Sequence, residues 1–107
     1  MASKPGEITE EEVAFIVVQI AAERRDGSAS FDRIRAEIPK RYRLSVADLA
    51  ESATRPNEAI WEQKIRNIKS HYKSPGNYIH DGYLEHMPGV GYRVTERGLR
   101  LANRRAA

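Results

Sequence analysis

The sequence predicts an α+β domain, mostly helical, with a β-hairpin near its C-terminal end. Three observations carry this. Apolar residues recur at helical spacing in three stretches, 9–25, 31–38 and 57–73. Residues suited to capping a helix head each helical run: Thr9, Ser30, Ser45, Asn57 and Thr95. Two short strand-like runs flank Pro88-Gly89-Val90-Gly91, a glycine loop that fits an antiparallel hairpin. A chain of 107 residues is long enough for one modest core. The domain is expected over residues 9–104, between flexible ends at 1–8 and 105–107.

Thr9 opens the first helix, and Glu12 three residues on completes a capping box. Glu10 and Glu11 put negative charge at the positive end of the helix dipole. The helix is expected to reach about Arg25 and stop at Gly27. Val13, Ile16, Val17 and Ile20 form one core stripe, while Phe15 and Val18 lie on roughly the opposite side. A helix apolar almost all round has to be covered on both sides. Either the C-terminal helix covers Phe15 and Val18, or a homodimer forms through them.

Ser28-Ala29-Ser30 is a break, and Ser30 caps a second helix whose Phe31, Ile34 and Ile38 face the core. Pro39 is expected to end it. Lys40-Arg41-Tyr42-Arg43 then reads as a basic loop, and Ser45 caps a short helix over 46–52 anchored by Val46 and Leu49. Residues 54–57 form a turn-like loop around Pro56, and Asn57 caps the helix over 57–73. On a helical wheel Trp61, Ile65, Ile68 and Tyr72 fall in one narrow arc, which is core. The opposite side carries Gln63, Arg66, Asn67, Ser70 and Lys73. Ser74-Pro75-Gly76-Asn77 is a dense turn signal, and Asp81-Gly82 a second one. The hairpin runs from Tyr83 to Met87 and from Tyr92 to Val94, with Leu84 and Val94 inward. Thr95 caps the last helix, 96–104. The expected core is Val13, Ile16, Val17, Ile20, Phe31, Ile34, Ile38, Leu49, Trp61, Ile65, Ile68, Leu84, Val94 and Leu99.

Composition narrows the function. With 40% apolar and 31% charged residues the chain is globular, not disordered. It has no cysteine, which excludes disulfides and thiolate metal sites and suits a reducing, cytoplasmic setting. The longest apolar run, 13–18, is far short of the roughly 20 residues of a membrane span, so no membrane partner is expected. The first seven residues lead into acidic ones and not into an apolar signal region. Net charge is +3, unevenly spread. Residues 1–32 hold three basic and seven acidic side chains, and residues 33–107 hold 15 basic and eight acidic. That asymmetry fits one face for a polyanion and another turned away from it.

A helix, a small hairpin and a closing helix in this order are the parts of a winged helix-turn-helix with a C-terminal β-hairpin wing. The major groove of DNA admits one α-helix, and its base edges show distinct donor and acceptor patterns. Asn and Gln pair bidentately with adenine, and Arg with guanine. Gln63 with Asn67, and Arg66 with Ser70, are spaced four apart on one face. Lys64, Lys69 and Lys73 are placed to hold flanking phosphates, which give affinity and register but no sequence information. In the wing, His86 and Arg93 sit beside a glycine loop able to approach a sugar-phosphate backbone closely. Arg97, Arg100 and Arg104 lie near one side of the last helix, where dipole stabilisation explains them as well as binding does.

Catalysis finds no support. His71, His80 and His86 fit no metal spacing. No nucleophile elbow, phosphate loop or dinucleotide glycine pattern occurs, so no cofactor and no enzyme activity are expected.

Three runs carry a resemblance: Trp61-Glu62-Gln63-Lys64-Ile65-Arg66-Asn67-Ile68-Lys69-Ser70-His71, then Gly82-Tyr83-Leu84-Glu85, then Gly91-Tyr92-Arg93-Val94-Thr95-Glu96-Arg97-Gly98. Together they resemble winged-helix domains attached to bacterial restriction endonucleases, such as the N-terminal domain of Mrr-type proteins and the winged helices beside some HNH and DpnI-like nucleases. The resemblance implies double-stranded DNA binding linked to restriction-modification, and in some relatives recognition of N6-methyladenine. These 107 residues hold no nuclease domain, so the resemblance leaves a free-standing reader or one domain of a longer protein, with a nuclease domain or subunit as a candidate partner. A methyl reader needs an apolar or aromatic surface. Trp61 lies on the core arc, which leaves Tyr78 and Tyr83 to supply one. The rival expectations are a protein-interaction or dimerisation winged helix using Phe15 and Val18, and a transcriptional regulator.

Overall fold

The computed structural model describes the backbone of residues 6–106 and the side chains of residues 6–104. The expectation of flexible ends falls partly outside this range. Inside it, Ile8 is fully buried, and its N–H donates to Asp48 Oδ1 at 2.8 Å. The domain therefore takes in Ile8, because its backbone donor has a fixed acceptor 40 residues away.

The capping box at Thr9 forms: Thr9 Oγ1 accepts from Glu12 N–H at 3.0 Å, and Glu12 Oε1 accepts from Thr9 N–H at 2.9 Å. It starts α1 (Glu10–Ala22), which ends at Glu23, earlier than expected. Glu23-Arg24-Arg25-Asp26 offers nothing to bury, and all four are exposed. α1 is the hub. It packs against four other elements besides the first strand, and Val13, Ala14, Ile16, Val17, Val18, Ile20 and Ala21 are all buried. The C-terminal helix packs on it. Val18 has no accessible surface and Phe15 is half-buried against the core, so the homodimer contact through this pair is corrected: the molecule covers Val18 itself.

The stretch read as a break is a strand, β1 (Ser28–Ser30). Its partner is distant in sequence, so no local pattern announces it. Ser30 then caps α2 (Phe31–Arg41) by accepting from Arg33 N–H at 3.1 Å. Pro39 does not end this helix. It sits in the last turn, where its missing N–H costs one hydrogen bond, and Tyr42 N–H still reaches Ile38 O at 3.0 Å. Lys40 and Arg41 thus leave the expected loop, and Arg41 is held by Glu23 at 2.6 and 2.8 Å and by Glu37 at 3.1 Å.

Ser45 and Asp48 form a second capping box on α3 (Val46–Leu49). The expected anchors face outward: Val46 is 88% and Leu49 59% exposed. A single helical turn has one inward position, and Asp48 takes it. Its carboxylate accepts from both Ile8 N–H and Ser45 N–H. α4 (Ile60–Ser70) is capped at Ala59 and not at Asn57, with Glu62 Oε1 accepting from Ala59 N–H at 2.9 Å. Asn57 cannot cap because its φ of 67° is left-handed. The loop before α4 closes at its base through the Glu51–Ala59 bridge and Ser52 N–H to Glu58 O at 2.7 Å. α4 ends at His71, so Tyr72, expected in the core, is 50% exposed.

β2 (Leu84–Met87) and β3 (Gly91–Val94) form the expected hairpin, with Leu84 opposite Val94 and both buried. β1 joins on the other side of β3, giving an antiparallel sheet in the order β1-β3-β2. A side chain at Gly91 would overlap the Ala29 carbonyl, so the β1–β3 approach needs glycine there. Thr95 Oγ1 caps α5 (Glu96–Ala106) by accepting from Gly98 N–H at 3.0 Å, and donates to Gly82 O at 2.5 Å. The inward face of α5 is Gly98, Leu101 and Ala102; Leu99, expected in the core, is 39% exposed. Gly98 sets this phase, because a Cβ there would meet the Tyr83 carbonyl and Val94. The fold is α+β, and among the described residues no helix is long and apolar enough to cross a membrane.

The contrast at α3 is testable by urea unfolding. Asp48→Ala is expected to cost ~1–3 kcal/mol by orphaning buried backbone donors. Val46→Ser should stay within ~0.5 kcal/mol despite losing a large apolar side chain.

Candidate functional site

The outward side of α4 follows from its buried side, Trp61, Ile65 and Ile68. Its orientation toward the hairpin is fixed by Tyr92. The Tyr92 hydroxyl donates to Ile65 O at 2.6 Å and accepts from Lys69 N–H at 3.2 Å. The end of α4 lies beside β2, and the His86 ring is tilted at 51° against the Tyr92 ring, 5.8 Å between centroids.

The polar stripe splits into two halves. Its first half is braced by the loop over 52–58. Gln63 accepts from the buried Ser52 hydroxyl at 2.6 Å and donates to Thr54 Oγ1 at 3.2 Å. Arg66 Nη2 donates to Glu58 Oε2 at 2.7 Å, and that hydrogen bond raises the guanidinium pKa further. Arg66 Nε and Glu58 Oε1, the neighbouring atoms of the same two groups, are buried without a hydrogen-bond partner. Asn67 is half-buried. The second half is open: Lys69, Ser70 and Lys73 are exposed, and Lys73 Nζ lies 5.7 Å over the Tyr72 ring. Ser70 turns its hydroxyl back to Arg66 O at 3.4 Å.

Lys64 does not join the stripe. Its side chain is 12% accessible and reaches Glu7 at 3.0 Å and the Ile8 carbonyl. The phosphate role expected of it is corrected accordingly, since the amine is held by the segment before α1.

At the end of α4, Lys69, Ser70, Tyr72, Ile79 and His86 line a concavity of ≈ 450 Å³. Burial lowers the His86 pKa, and the nearby Lys69 charge lowers it further, so the ring is neutral at pH 7. Arg93 does not meet His86. The register sets His86 opposite Tyr92 on the inner face and Arg93 opposite Glu85 on the outer one. Arg93 is exposed there, with Ser28 opposite it across β1.

The aromatic surface expected of Tyr78 and Tyr83 is not assembled. Tyr78 is 5% exposed, and Tyr83 packs against it at 5.0 Å with the Arg97 guanidinium 4.9 Å over its ring. Trp61 is buried. His71 pairs with Glu10 and His80 with Asp81, each at 2.8 Å. Among the described residues no group of three or more such side chains could hold a metal. Sequence reading missed Ser52, Glu58 and the exposed Arg55. The only signal was the turn around Pro56, which does not say that the loop leans on the next helix. A comparison with protein-family models, curated proteins and solved structures found no match for this chain.

Ser52 is the node of the brace, since its hydroxyl also accepts from Thr54 and Arg55 N–H at 3.3 and 3.2 Å. Ser52→Ala and Gln63→Ala should each cost ~1 kcal/mol in urea unfolding. Their double variant should fall short of the sum by at least ~0.5 kcal/mol, and full additivity would mean that the two do not share a network.

Proposed function

We propose that this chain is a winged helix-turn-helix that binds duplex DNA without catalysis. Support for the fold reading comes from the element order, in which β1 follows the first helix and the β2–β3 hairpin follows α4. The sheet order β1-β3-β2 agrees with it. The single observation that carries the function is the open second half of the α4 stripe beside β2, with Lys69, Ser70 and Lys73 exposed. Arg66 and Asn67 are the residues offered to base edges, and Glu58 holds the Arg66 guanidinium in place, which lowers the entropy lost on binding. Gln63 reads a base only if it leaves Ser52 and Thr54. Lys69, Lys73 and Arg55 hold phosphates, and His86 and Arg93 meet the backbone from the two faces of the wing.

N6-methyladenine reading and a restriction-modification setting are the finer form of this proposal; they rest on the resemblance, because Trp61, Tyr78 and Tyr83 do not supply the methyl-contacting surface. The ligand of interest is then a methylated duplex, and a nuclease domain or subunit is the partner. A protein-interaction reading through Phe15 and Val18 has lost its surface, because Val18 is covered.

Gel shifts with methylated, unmethylated and random duplexes at two or more salt concentrations test the reading. Lys69→Gln/Lys73→Gln should lower the slope of log affinity on log salt by about 1.8, at about 0.9 per phosphate contact. Asn67→Ala should cost ~1–3 kcal/mol on the preferred duplex and little on random sequence. An unchanged slope, or equal losses on all duplexes, overturns the proposal.

His86 adds a pH dependence. A nearby phosphate favours the charged ring, so the bound pKa exceeds the lowered free one, and binding takes up a proton. Affinity should rise as pH falls from about 7.5 to about 5.5, and His86→Asn should flatten that rise. A rise of the same size in both proteins would show that His86 is not near the bound duplex.

A further inference from the structure

Three arginines on α5 have no role in the reading above. Arg97, Arg100 and Arg104 fall within about 60° of one another on the helical wheel. With Tyr83 and Asn103 they line a concavity of ≈ 640 Å³ with no acidic side chain among its described lining residues, although Asp81 lies within charge range of Arg97. Glu96 reaches Arg100 at 3.4 Å, but both side chains are more than half exposed, so the pair neutralises little. The helix dipole accounts for a cation at Arg104, near the C-terminal end. It disfavours one at Arg97, which lies in the first turn. Arg97 is instead held 4.9 Å over the Tyr83 ring, and both residues line the concavity.

We propose that this row is a second phosphate-binding face, which takes a nucleic-acid backbone separate from the one beside α4, so that one molecule holds two duplex segments. Charge complementarity carries the choice of occupant. The row is arginine alone, the side chain that holds phosphate oxygens bidentately. From residue 97 to residue 104 it extends about 10.5 Å along the helix, which spans about three base-pair steps measured along a duplex axis at about 3.4 Å each. Its lining sets it apart from α4. Both helices pack on α1, and the concavity lined by the arginines shares no residue with the one at the end of α4. Phosphate binding by the row stands independently, while the joining of two duplexes rests on the α4 reading.

The test is a sandwich capture. One biotinylated duplex is fixed on beads, protein is added, and a fluorescent second duplex is offered with its sequence scrambled. The comparison variant is Arg97→Gln/Arg100→Gln/Arg104→Gln. It should hold the fixed duplex within about twofold of the unaltered chain, recruit about tenfold less second duplex, and lose about 2.7 from the salt slope of that recruitment. Arg100→Gln/Arg104→Gln, which leaves the Tyr83 stack alone, serves if the triple variant melts early, and should lose about 1.8 from the slope. The proposal is overturned if the unaltered chain recruits no second duplex. It also falls if the variants recruit as well as the unaltered chain, or if polyglutamate of matched charge displaces the second duplex as well as DNA does. Lys69→Gln/Lys73→Gln separates the two readings. If capture of the fixed duplex survives that change in a chain that also carries the three arginine changes, the α4 reading fails, whereas the arginine row is judged by its own variants.

Discussion

A single buried hydroxyl group governs how the long helix and the hairpin meet. Tyr92 is fully enclosed, and its oxygen bonds both Ile65 O and Lys69 N–H, the two groups that one step of an α-helix would join to each other. Leaving that hydroxyl without partners would cost ~1–3 kcal/mol, so β3 is held at one depth along α4. The ring adds to this from both sides: Phe31 meets it edge-on at 5.5 Å and His86 lies at 5.8 Å. Burial pushes the phenol pKa up, so it stays a donor throughout the range in which the protein works. Where Lys69 and His86 stand relative to each other follows from this contact.

α1 supplies the complementary constraint. Being apolar almost all round, it has to be enclosed, and the helices and sheet that enclose it turn their polar sides outward in several directions. The open end of α4 and the arginine row of α5 are two of those sides. The loop over 51–59 adds a brace that presses on the start of α4 and occupies Gln63 and Arg66. The helix thereby has a rigid, partnered half and an exposed half, divided near Asn67.

What was readable in the sequence was local. Thr9, Ser30, Ser45 and Thr95 cap their helices because a cap is decided within three residues. The hairpin and its inward pair Leu84 and Val94 follow from a turn signal and alternation. What was missed depends on distant partners. β1 exists because β3 pairs with it. Asp48 is buried because Ile8, 40 residues earlier, needs an acceptor, and this turns Val46 and Leu49 outward. The phase of α5 depends on how closely Gly98 approaches Tyr83, so Leu101 and not Leu99 faces inward. At the site, the identity of the stripe residues was legible. Their occupancy was not, since Ser52, Glu58 and Glu7 come from segments without periodicity.

The sheet has two open margins and little to offer at either. β1 is three residues long and passes straight into α2, with Phe31 N–H already bonded to Val90 O at 2.9 Å. β2 is four residues long and stops at Pro88, which has no N–H to donate. A stray extended chain would find too few free backbone groups in line to zip onto, and the charged Glu85 would stand beside it. The hairpin can therefore protrude into solvent without seeding fibrils.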